Sequence, residues 1–189
     1  MLQELFRTFT DSFVAPRKAA RSIIDRVEDF TGVGVIFGLS FTLNAMILLI
    51  KSSYAPDPGL DGELAGGAFA LIISNLIFSA VLFAMLCGIV YGVGRMFGGT
   101  GTLVNVCAAL AWHSLITVVF SPFLSLASLN SDGGNMIGPV FIMLFVIWLL
   151  LNFVAEAHRF TSVWKVAAVM LGLLLIPAFL MSLAGMNTM

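Results

Sequence analysis

Five stretches of near-continuous apolar sequence, each about as long as a helix that crosses a bilayer, constrain this chain more than any other feature. Crossing about 30 Å of hydrocarbon takes roughly 20 helical residues. The stretches cover residues 32–50, 67–94, 103–129, 136–155 and 163–184. All are expected to be helical, because an unclosed strand would leave backbone N–H and C=O groups unpaired in lipid. The second stretch is long for one crossing, so it is expected to tilt or to extend past the headgroups. Pro122 is expected to kink or break the third stretch late, and Pro177 falls in the second half of the fifth. The predicted fold class is all-α: a polytopic integral membrane protein, with five transmembrane helices in residues 31–186 and an amphipathic interfacial arm in residues 1–30.

Composition agrees with the bilayer as solvent. Hydrophobic residues make up 60% of the chain and charged residues 10%, against roughly 25% charged in a soluble domain. A water-soluble fold has too few polar residues here to cover its surface. Little chain remains for a soluble catalytic domain. The net charge of −1 gives no reason to expect nucleic acid as a partner. Cys87 and Cys107 both lie inside apolar stretches, so neither a disulfide framework nor a zinc pattern is visible, and no cofactor is expected.

The basic residues set the expected orientation. Arg7, Arg17, Lys18, Arg21, Arg26, Arg95, Arg159 and Lys165 fall on the N-terminal side of the membrane, and only Lys51 falls on the other. The positive-inside rule then predicts a cytoplasmic N-terminus and, after five crossings, a C-terminus on the far side. A cleaved signal peptide is not expected, because the charged leader is about 30 residues long and Pro56 follows the plausible cleavage point at Ala55. The joints at residues 54–59, 98–101, 130–134 and 156–161 are short, which predicts antiparallel hairpins of neighbouring spans.

Within the arm, Leu2, Leu5, Phe6, Phe9 and Phe13 recur at helical spacing, and after Pro16 so do Ala20, Ile23, Ile24 and Val27. Arg17, Lys18, Arg21 and Arg26 lie off that second apolar face. The pattern predicts two helices on the cytoplasmic leaflet, with these four cations as candidate contacts to anionic lipid. The plainer reading packs the same residues on the protein's own cytoplasmic loops.

Three groups of residues stand out in the spans. Ala80, Ala84, Gly88 and Gly92 recur every four residues in the second span, and Gly34 and Gly38 repeat the spacing in the first. Small residues so placed let helix backbones approach, which marks a candidate packing face, expected mainly within the chain. His113 is placed near the midplane, with Asn44 and Asn75 at comparable depth. An ionisable group there is a candidate functional site by default, although a packed, hydrogen-bonded histidine is the reading favoured here. Glu156 and His158 stand two apart on a helix, which sends them to nearly opposite faces and makes them poor joint metal ligands. Tyr91 and Trp164 suit an interfacial aromatic belt, and Trp112 and Trp148 suit packing. The glycine-rich run over residues 92–101 is not a phosphate loop, because Thr100 stands where the lysine belongs.

Four segments, taken in order, resemble the Yip1-domain (Ypt-interacting protein) family of five-span membrane proteins. They are Phe97-Gly98-Gly99-Thr100-Gly101, Ala111-Trp112 followed by Pro122, Glu156-Ala157-His158-Arg159-Phe160 before Trp164 and Lys165, and the leader Ala15-Pro16-Arg17-Lys18-Ala19-Ala20. The resemblance covers about residues 14–184. Eukaryotic relatives are associated with Rab GTPases and carry a longer soluble N-terminal region with an Asp-Leu-Tyr-Gly-Pro type motif. That motif is absent from this sequence, so the resemblance implies a bacterial-type member in the inner membrane. The expected function is non-enzymatic: interaction with membrane lipids, with other membrane proteins or with further copies of itself. The alternative is a small transporter or channel around Asn44, Asn75 and His113, weakened by the lack of a carboxylate inside any span and of a clear internal repeat.

Overall fold

A computed structural model describes residues 2–54, 61–129 and 137–171. Six helices follow in order: α1 (Leu2–Val14), α2 (Pro16–Ile24), α3 (Phe30–Tyr54), α4 (Asp61–Met96), α5 (Leu103–Leu129) and α6 (Ile137–Ala157). Residues 163–171 are helical as well. Four helices among the described residues are long and apolar enough to cross a membrane: Phe30–Ile47 of α3, Ile72–Met96 of α4, Leu103–Phe123 of α5 and Gly138–Ala157 of α6. That is one fewer than the sequence predicted. The expected fifth span is described only to residue 171, a length too short to cross, and its remainder lies outside the described residues. So do the turns at 55–59 and 130–134, and Pro177. The class is an all-α membrane protein.

Pro122 does not end its helix: α5 continues through it to Leu129. Inside a bundle, neighbouring side chains and helices can satisfy the carbonyl that a proline leaves free, so a proline need not stop a span.

Helix α5 is the centre of the bundle. Residues 106–112 are buried without a break, which is almost two full turns, and a helix buried all round needs neighbours on every side. It packs against α3, α6, α4 and α2. Half of its span is buried, against 11% of the α3 and α4 spans, so those two helices form the periphery. Ring contacts join the layers: Phe37 of α3 meets Phe83 of α4 with centroids 4.6 Å apart. Cys87 of α4 and Cys107 of α5 are both buried, unoxidised members of the core.

The arm docks on the bundle through α2 and the end of α1. Pro16 holds Ala15 out of the helical region (φ −141°, ψ 66°), which ends α1 and starts α2 at a sharp corner. Pro16, Ala19, Ala20 and Ile23 are buried, with α2 packed on α5 and α6. Phe13 stacks on Phe145 of α6 at 5.8 Å and tilts against Phe120 of α5 at 5.3 Å. Phe120 lies 17 residues into α5, about 25 Å along its axis at 1.5 Å per residue. The end of α1 therefore reaches to the depth of the spans. Apolar surface remains at both ends of α1, with Phe6 71% and Val14 86% exposed. The second half of the apolar face predicted for lipid is used on the protein itself, because aromatic contacts with α5 and α6 are within its reach.

Candidate functional site

The end of α4, the start of α5 and the end of α6 converge with α2 at the basic end of the bundle, where Glu156 meets Arg17 and Arg21. Glu156 lies in the last turn of α6 with its side chain 6% exposed. A carboxylate at a helix C-terminus faces the negative end of the dipole, and Arg17 in the first turn of α2 has the opposite mismatch. Pairing removes both. Arg17 Nε donates to Glu156 Oε2 at 3.0 Å, and Arg21 Nε donates to Oε1 at 2.7 Å. The remaining nitrogens of Arg17 donate to the Phe160 carbonyl at 2.5 Å and the Thr161 carbonyl at 3.3 Å, which caps the exit of α6. The carboxylate is thus held by charge-assisted bonds from two arginines, the strong kind of hydrogen bond.

Two matching helix ends face each other beside this cluster. At the end of α4, Gly98 takes φ 85°, Gly99 N donates to Gly94 O at 2.8 Å, and Gly98 N donates to Arg95 O at 3.1 Å. At the end of α6, Arg159 takes φ 58°, Phe160 N donates to Ala155 O at 2.8 Å, and Arg159 N donates to Glu156 O at 3.0 Å. Both are Schellman caps, each with a left-handed residue just past the helix. A bond from Thr100 N to His158 O, 3.1 Å long, ties them together.

His158 is seated between them, 1% exposed. Its Nδ1 carries the proton, because it reaches the Val154 carbonyl at 3.2 Å and must donate to it. The ring stacks on Phe160 at 5.5 Å and 12°. Its Nε2 is buried with no hydrogen-bond partner among the described residues. The glycines make this seat possible. A Cβ on Gly94 or Gly99 would strike the imidazole, and a Cβ on Gly101 would strike the Ala157 carbonyl. The glycine run that fails as a phosphate loop is a cradle for a histidine from another span.

The residues singled out in the sequence are distributed as follows. All four candidate lipid-contact cations have acidic partners in the chain: Arg17 and Arg21 with Glu156, Lys18 with Asp11 at 3.1 Å, and Arg26 with Glu4 at 3.9 Å. Their arrangement fits the plainer reading, in which the arm docks on the protein. Among the described residues, a Cβ on Gly34, Gly38, Gly88 or Gly92 meets nothing within 4 Å, and Ala80 and Ala84 are exposed. The stripe therefore borders open space rather than a described helix of its own chain. His113 donates from Nε2 to the Val146 carbonyl of α6 at 3.2 Å and meets the edge of Phe153. Asn44 and Asn75 are exposed on α3 and α4, and Asn75 bonds within its own helix, to Ser79. The structure gives His113 no hydrogen bond to either asparagine. Trp112, expected to pack, is buried and bonded to Ser12 at 3.1 Å. Trp148 is partly exposed, against Phe145.

The sequence reading missed the joint roles of Glu156 and His158. The sign was present in two segments that looked unrelated, a glycine-rich joint and an acidic-histidine helix end, which are the two faces of one contact. Glu156 and His158 do point apart, one to the arginines and the other into the cradle.

Comparison with curated proteins and with solved structures returns no match. A family model described as the Yip1 domain matches residues 10–185, nearly the whole chain, from the middle of α1 past the last described helix. This chain belongs to the Yip1-domain family of membrane proteins.

Proposed function

We propose that this protein is a non-catalytic membrane protein that acts by association, recruiting other membrane proteins or further copies of itself through the outward side of α4. The observation that carries this reading is the open small-residue stripe on that helix. Gly88 and Gly92 border open space, while Val81 and Met85 are exposed beside them. Lipid tails are as apolar as leucine, so helices in a bilayer associate by packing, and small residues four apart permit the closest packing. The eight basic residues on one side support an N-terminus in the cytoplasm of a cell with an inner membrane. They also support contact with the anionic cytoplasmic leaflet, as a long-range attraction added to the internal ion pairs.

The test is Gly88→Leu in membranes and in mild detergent. The larger side chain enters open space, so the monomer is expected to keep its unfolding midpoint while cross-linked dimers or co-purifying membrane proteins are lost. A wild-type protein that is monomeric and partner-free across concentrations, and indistinguishable from the variant, would overturn the proposal.

A further inference from the structure

Two cavities open at the basic end of the bundle, and Phe160 lines both. The first is a polar cleft of about 500 Å³ bordered by Arg17, Arg21, Arg159, Asn105, Asp25 and Glu156. The second is an apolar groove of about 480 Å³ between the end of α4 and residues 163–171, walled by Leu86, Ile89, Val93, Val166 and Val169, with Lys165 as its one charged residue. The spans of α5 and α6 begin at Leu103 and end at Ala157, so the cleft lies at the level where hydrocarbon gives way to headgroups.

The charges of the cleft do not cancel. Three arginines face two carboxylates, which leaves one net positive charge. Glu156 is already held by Arg17 and Arg21, and the Arg21 side chain remains 70% exposed while holding it. Arg159 has no hydrogen bond or ion pair from its side chain among the described residues. It is also the one non-glycine residue with positive φ among them, at a cap position where glycine is the default. Beside it, the first turn of α5 brings Asn105 and the positive end of a helix dipole.

We infer that the two cavities form one site for a single anionic phospholipid, with its phosphate against Arg21, Arg159 and the start of α5 and one acyl chain in the groove beyond Phe160. A cationic cleft alone would suit any phosphate, and an apolar groove alone any hydrocarbon. Their junction at one aromatic residue, at headgroup depth, selects a molecule that has both parts. The two arginines recognise the phosphate by paired N–H donors, and Lys165 offers a further cation at the groove. This deepens the lipid-contact part of the proposed function and is independent of association through α4, since Gly88→Leu leaves both cavities intact.

The test uses full-length protein taken from vesicles of equal phosphatidylglycerol and phosphatidylcholine, with retained lipid counted by native mass spectrometry. Wild type is expected to retain phosphatidylglycerol preferentially. Arg159→Gln should cut that preference about fivefold, the value of one basic residue near such a surface, and Arg159→Lys should restore it. Val169→Trp, or Ile89→Trp if the first variant does not fold, should fill the groove and release both lipids. Equal retention of the two lipids by wild type, or an Arg159→Gln variant with unchanged preference, would overturn the inference. So would inorganic phosphate binding to wild type with lipid retention unaffected by the groove variants, which would make the cleft a site for free phosphate.

Discussion

The indole N–H of Trp112 donates to Ser12 Oγ at 3.1 Å, joining the third turn of α5 to an arm residue 100 positions earlier. Ser12 in turn donates to the Thr8 carbonyl at 2.9 Å, and both residues are buried. Ser12→Ala leaves the indole donor without a partner, a loss of about 1–3 kcal/mol. Trp112→Phe removes the donor together with its need, so the double variant should cost less than the sum of the two. Thermal unfolding of the four proteins in detergent closes the cycle. Strictly additive costs would mean that this bond does not couple the arm to the span.

The arginines that hold Glu156 are predicted to be unequal. Arg17 also serves two backbone carbonyls past α6, whereas the Arg21 side chain is largely in solvent. Arg17→Ala should therefore destabilise more than Arg21→Ala and should expose the arm to protease. Glu156→Ala strands two cations, which costs about 3–5 kcal/mol at a fully buried pair and less here because Arg21 can be hydrated. Equal unfolding midpoints for the two arginine variants would contradict the assigned bonds.

A glycine series separates the cradle from the open stripe. Gly101→Ala drives a methyl into the backbone carbonyl of Ala157 and should be the worst tolerated. Gly94→Ala meets the His158 ring, so removal of that ring in a Gly94→Ala, His158→Ala double variant should recover part of the loss. Gly88→Ala enters open space and should change the monomer's unfolding midpoint very little. Overpacking of this kind costs typically about 1–3 kcal/mol. A Gly101→Ala protein as stable as Gly88→Ala would refute the close approach of the glycine joint to the end of α6.

Much of this architecture is legible in the sequence because a bilayer leaves few choices. Long apolar stretches become helices, and four membrane-length helices, α3 to α6, stand where four of the spans are expected. The site was less legible. Hydrophobic periodicity marks the apolar face of an arm helix but not what covers it, so Phe13 reads equally well as a lipid anchor and as a partner of Phe120 and Phe145. Glycines four apart suggest close packing at 88 and 92, yet space is open at both. The glycines that do admit a close neighbour, at 94, 99 and 101, follow no helical period because their neighbour comes from another span. The segments that carried the family resemblance proved more informative than any periodicity. The proline-basic leader meets the Glu156 segment through Arg17, and that segment meets the glycine joint through His158.

Acid should loosen the entry of α3 before the rest of the bundle. Asp29 caps this helix, accepting a bond from the Gly32 N–H at 3.0 Å. That bond, followed by one from Thr31, holds the carboxyl below its usual range. A depressed folded-state pKa gives stabilisation that is present above the unfolded value, near 3.9, and lost as pH falls through the folded one. The Asp29 side chain is fully exposed, so the effect should be local. Protection of the Gly32 and Val33 amides from hydrogen exchange, taken relative to the intrinsic rate at each pH, should fall on acidification in wild type. It should already be low, and lose that acid response, in Asp29→Ala. The same acid response in both proteins would remove Asp29 as its source.

His113 separates association from transport. Its ring gives one hydrogen bond to a backbone carbonyl of α6 and packs on Phe153, which is the arrangement of a residue that joins two spans. Val146 lies within the helical ladder of α6, so its carbonyl keeps a partner when the histidine is removed. Interhelical hydrogen bonds in membranes average about 0.6 kcal/mol and reach about 1.7 kcal/mol. His113→Leu should therefore cost about 1 kcal/mol, and His113→Gln, which retains a donor, less. Neither should alter association read by cross-linking through α4, since His113 faces α6. A transport role predicts something different: solute flux in proteoliposomes that both substitutions abolish and that varies with pH where a histidine titrates. The direction of its one bond, toward a backbone already paired and toward neither Asn44 nor Asn75, favours the joint between spans. Histidine-dependent flux through the purified wild-type protein is the result that would reverse that conclusion.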